Sequence, residues 1–72
     1  MVDDEAWKLA LARYERARSE FERALDVISE RLLSGQLPTE AEAAREVAAG
    51  AAVESARHNL WVLASIRPSK TA

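Results

Sequence analysis

The chain has 72 residues, no cysteine and a single histidine, a set that removes disulfides, thiolate metal sites and thiol nucleophiles and bounds it to one domain, residues 1–72. Its formal net charge of −2 lacks the basic excess of a protein that gains affinity by neutralising phosphates. Below about 70–80 residues a core rarely holds a fold without staples or a partner, so oligomerisation is the expected remedy.

The opening Met-Val-Asp-Asp-Glu has no basic region ahead of an apolar run, and the most apolar stretch, 60–66, is too short to span a bilayer. A cytoplasmic location with no membrane partner is the expectation. Asp3 or Asp4 can cap a first helix, with acidic residues at its positive dipole end. No glycine or proline then interrupts the chain before Gly35, so the helix is expected over about 4–34, on the order of 45 Å at 1.5 Å per residue.

Within this helix Trp7, Tyr14, Phe21 and Ile28 recur at every seventh residue, with Leu11, Arg18, Leu25 and Leu32 between them at four-and-three spacing. Such a pattern is a heptad seam and calls for a facing helix. Ala10, Ala17 and Ala24 recur beside it, so helix axes can approach closely. Gly35 is placed as the left-handed residue past the helix end, with Ser34 as C-cap and 35–38 as the turn. Thr39-Glu40-Ala41-Glu42 reads as a capping box that opens a second helix over about 40–66, stopped by Pro68 ahead of a frayed tail at 67–72. Ala49, Ala52, Val53, Ala56, Leu60 and Leu63 form its apolar stripe, widened by Ala48, Val62 and Ile66.

Two helices of similar length joined by so short a turn fold back on each other. The expected class is therefore all-α, an antiparallel two-helix hairpin. A partner face made mostly of alanine cannot cover all the bulky seam residues, so two hairpins are expected to dimerise into a four-helix bundle with two-fold symmetry. The expected dimer or partner interface comprises Trp7, Leu11, Tyr14, Arg18, Phe21, Leu25, Ile28 and Leu32, with Trp61 from the outer side of the second helix. Leu25→Ala should then cost about 2–5 kcal/mol, and Arg16→Ala almost nothing.

Arg18 stands where the heptad asks for an apolar side chain. Its stem can pack on Tyr14 while its head pairs with Glu15 or Glu22, or it can fix the register of a bundle seam. Glu54 and His58, four apart, read as a surface pair. No nucleophile or second histidine accompanies them, so no catalytic, cofactor or metal site is expected. Trp61 shares a side with Val47, Glu54 and Gly50; it reads either as an intermolecular anchor, with Gly50 allowing another helix close, or as a residue folded into the bundle or lying flat on the surface.

On the outward face of the first helix, Arg13, Arg16 and Arg23 alternate with Glu20 in i,i+3 and i,i+4 pairs, the pattern of a solvated face more than of a phosphate-binding stripe. In length and topology the chain resembles small plasmid-encoded helical-hairpin dimers that bind paired RNA loops. No residue motif carries over from that resemblance; the alternative expectation, read from the residues, is an RNA- or DNA-binding helical-hairpin dimer in which Arg13, Arg16 and Arg23 of both copies converge. The leading expectation is a non-enzymatic protein–protein interaction module, a homodimeric adaptor, chaperone or inhibitor.

Overall fold

A computed structural model describes residues 4–66. Helix α1 spans Asp4–Leu33 and helix α2 spans Glu40–Ile66, and the two pack against each other as an antiparallel hairpin. The expected cap at Asp3 and the tail at 67–72 lie outside the described residues.

The turn follows from its sequence. Gly35 adopts φ of 78°, the left-handed conformation in which a side chain is strained. Its N–H donates to the Leu32 carbonyl at 3.0 Å and the Gln36 N–H to the Arg31 carbonyl at 2.8 Å, the two bonds of a Schellman ending with Gly35 just past the helix. Across the turn the capping box forms in both directions: the Glu42 N–H donates to Thr39 Oγ1 at 3.1 Å and the Thr39 N–H to Glu42 Oε1 at 3.0 Å. The Thr39 carbonyl meanwhile accepts the first helical bond, from Ala43 N–H at 2.9 Å.

The α1 face turned toward α2 differs from the expected seam. Trp7, Tyr14, Phe21 and Ile28 are half-buried, but the positions alternating with them on the inner face are Ala10, Ala17, Ala24 and Arg31. Ala10 and Ala24 are the only fully buried hydrophobic residues among those described. Leu11, Arg18, Leu25 and Leu32 lie one position further round, on the flank, and are exposed. Geometry explains the shift. The small side chains let the axes close, so that Phe21 meets Gly50 of α2; a leucine at the alanine positions would hold the helices apart.

On α2 the inner face is Ala49, Val53, Ala56, Leu60 and Leu63, as expected, together with Glu42, Glu46 and Gly50. Ala48, Ala52 and Val62 are exposed, Val62 by less than half of its surface. The side chain of Ile66 lies outside the described set. Gly50 also departs from expectation: it approaches α1 of its own chain, where an added Cβ would stand 3.3 Å from Phe21 Cε1.

The hairpin is long and thin, 55 × 18 × 16 Å. Its radius of gyration is 16.5 Å, against about 11 Å for a compact domain of this length. The accessible surface of 5638 Å² likewise exceeds the roughly 4,450 Å² expected of a compact 8.0 kDa monomer. Two layers of side chains cannot enclose a core.

Candidate interaction surface

The hairpin has two long edges, and the register between its helices places residues along them. Arg31 bonds Glu42 near the turn, and Phe21 meets Gly50 further along. Carried along both helices, that register sets Leu25 level with Val47, Arg18 with Glu54, and Leu11 with Trp61.

One edge is an open groove lined by Arg13 and Ala17 of α1 and by Ala52, Ser55, Asn59 and Val62 of α2. It is mostly polar. The opposite edge carries the flank row of α1, Leu11, Arg18, Leu25 and Leu32, beside Val47, Glu54 and Trp61 of α2. Here the apolar side chains are open to solvent: Leu11 and Leu25 by more than a third, Val47 by 69% and Trp61 by 72%. Leu32, Leu33 and Leu37 extend the exposure to the turn end of the molecule.

Charges interrupt this edge near its middle. Arg18 Nη2 lies 3.5 Å from Glu22 Oε2, with both side chains more than half exposed. Arg57 Nη2 donates to Glu54 Oε1 at 2.7 Å, which holds the guanidinium more firmly protonated than usual. Glu54 therefore pairs with Arg57, where the sequence predicts a surface pair with His58. The Arg57 guanidinium, one turn on, reaches the carboxylate in a charge-assisted bond. His58 is left exposed between the two open depressions on α2.

A second polar cluster clamps the turn. The Arg31 guanidinium donates to both Glu42 oxygens, from Nε at 3.0 Å to each and from Nη2 to Oε2 at 2.8 Å, and from Nη1 to Gln36 Oε1 at 3.2 Å. The Arg31 bonds, followed by the Thr39 backbone N–H, hold the Glu42 carboxyl well below its usual range, at about 2. The two residues are eleven apart in sequence, so no helical periodicity signals their contact.

The residues expected to bind a partner are thus divided. Trp7, Tyr14, Phe21 and Ile28 spend much of their surface on α2 of the same chain, while Leu11, Arg18, Leu25, Leu32 and Trp61 remain open. Arg13, Arg16 and Arg23 are exposed, but no ion pair joins Glu20 to Arg16 or Arg23 among the described residues, and Arg13 faces the groove rather than a continuous cationic stripe. No cluster of three histidine, aspartate or glutamate side chains suited to a metal occurs among the described residues, and no described helix is long and apolar enough to cross a membrane.

No family model, curated protein or solved structure matches the chain.

Proposed function

We propose that the chain is a non-enzymatic helical interaction module, acting as an adaptor, chaperone or inhibitor does, and that its first partner is a second copy of itself. One observation carries the reading: a single edge of a hairpin with almost no enclosed core exposes Leu11, Leu25, Leu32, Val47 and Trp61 together. Isolated apolar residues are ordinary on protein surfaces, but apolar rows along both helices of one edge, broken only by Arg18 and Glu54, mark a surface that is covered in use. The thinness of the hairpin points the same way, because a second layer supplies the enclosure that a two-helix chain lacks.

The experiment is the absolute mass by light scattering after size exclusion over a wide concentration range. A species of twice the 8.0 kDa chain mass is expected. A folded monomer at high concentration would refute self-association, and failure of Trp61→Ala to weaken any assembly would refute the assignment of this edge.

A further inference from the structure

Resting on that reading, we infer which way the second copy lies: the two-fold axis runs along the hairpin, so that α1 of each copy stacks on α2 of the other in an all-antiparallel bundle. The inference comes from the order of charges along the open edge and from what symmetry does to it.

Two identical faces pack isologously only about a two-fold axis lying in the plane between them. For two long hairpins that axis runs either across the helices or along them. An axis across stacks α1 on α1 and α2 on α2, in reversed order. With the two rows in heptad register, Arg18 then falls either on its own symmetry mate or on one of the leucines in its row; an axis midway between Arg18 and Glu22 would pair those two but set Leu25 level with Glu15. If the axis passes at Arg18, Glu54 meets Glu54 as well. If it passes midway between Arg18 and Leu25, Glu54 falls on Val47. Like charges directly opposed, or a charge desolvated against a leucine, count against the complex in each case.

An axis along the hairpin has a different effect. A pure rotation about it leaves every residue at its own level while exchanging the helices. The register fixed by Arg31–Glu42 and Phe21–Gly50 then dictates the intermolecular pairs with no free parameter. Leu11 meets Trp61 of the second copy, Leu25 meets its Val47, and Arg18 meets its Glu54. On the same register Glu15 comes level with Arg57 of the second copy. Apolar side chains lie on apolar ones at two levels, and between them stands a belt of opposite charges. Arg18, the residue that breaks the leucine row, thereby selects this alignment over the reversed one.

Area agrees with this occupant. The hairpin's surface exceeds that of a compact monomer of its mass by about 1,200 Å², somewhat more than the roughly 800 Å² that each partner hides in a standard stable interface.

The absence of native cysteine makes the arrangement directly testable. Leu25→Cys and Val47→Cys proteins are prepared separately, mixed in equal amounts, allowed to exchange and oxidised. Using two single variants keeps a disulfide from forming within one chain. Because the bond needs Cβ atoms about 3.5–4.5 Å apart, it reports stacking directly. The expected result is a mixed disulfide in about half of the dimers, the fraction that random pairing makes mixed, with little from either variant alone. Arg18→Cys mixed with Glu54→Cys should behave likewise, and it serves if the first pair perturbs the fold by circular dichroism. Arg18→Cys linking to itself, or a dimer by light scattering that yields no mixed disulfide with either pair, overturns the arrangement and leaves the dimer standing. A monomer by light scattering overturns both.

Discussion

Gly50 shows how a single missing side chain is used. Its Cα approaches Phe21 closely enough that an added Cβ would lie 3.3 Å from the ring, tighter than ordinary van der Waals contact. Against that stands helix propensity, which favours alanine over glycine in a helix interior by about 0.8–1.0 kcal/mol. The ring is half-buried at the edge of the hairpin and can yield a few tenths of an ångström, so propensity wins. Gly50→Ala should stabilise the protein by about 0.5 kcal/mol, and Gly50→Val, which brings a branched side chain onto the ring, should destabilise it by about 1–3 kcal/mol. Thermal unfolding of the pair checks this; a lower Tm for the alanine variant would show that Phe21 is held rigidly. The place of Gly50 was not legible in the sequence. Alanines occur all round α2, so hydrophobic periodicity does not fix which way each residue faces, whereas on α1 the aromatic side chains at every seventh position do.

At the scale of the elements, the local chemistry of the helix ends was plain from sequence and the link between them was not. Gly35 and the Thr39-to-Glu42 box act through their own backbone within a few residues, so spacing alone reveals them. Arg31 joins the end of α1 to the start of α2 only because the chain has turned, and Glu42 serves both the cap and the clamp. The consequence is a pH dependence. Glu42 titrates at about 2 in the folded protein and near the ordinary carboxylate value when unfolded, so over that interval the unfolded chain binds more protons. The stability it contributes is fully present above about pH 5 and is lost as pH falls toward about 2. Glu42→Gln should lower Tm at pH 7 and flatten its fall between those values; parallel acid titrations of Tm for the wild type and the variant would expose an error in the assignment. Thr39→Ala, removing only the hydroxyl half of the box, should cost about 1 kcal/mol at neutral pH.

Over the whole molecule, the heptad spacing announced two helices and a demand for cover, but it did not separate the row that meets α2 from the row left open. A four-and-three spacing drawn through Leu11, Leu25 and Leu32 and a three-and-four spacing drawn through Ala10, Ala17 and Ala24 share the same aromatic residues. Burial of the alanines decides between them. The leucines are consequently the residues whose environment depends on association. In a solitary hairpin Leu25 is already more than a third exposed, and its truncation to alanine removes little buried surface; in the proposed dimer it is covered and truncation costs about 2–5 kcal/mol. The destabilisation caused by Leu25→Ala should therefore grow with protein concentration, since association contributes to stability by mass action. Trp61 gives the same quantity an optical signal. With Trp7 replaced by phenylalanine, emission reports Trp61 alone, which is 72% exposed in the hairpin. Its spectrum should move to the blue as concentration rises through the dissociation constant measured by light scattering. An emission maximum that stays fixed while the mass doubles would mean that the hairpins meet through another edge, because a ring that remains in water cannot be part of the surface that brings them together.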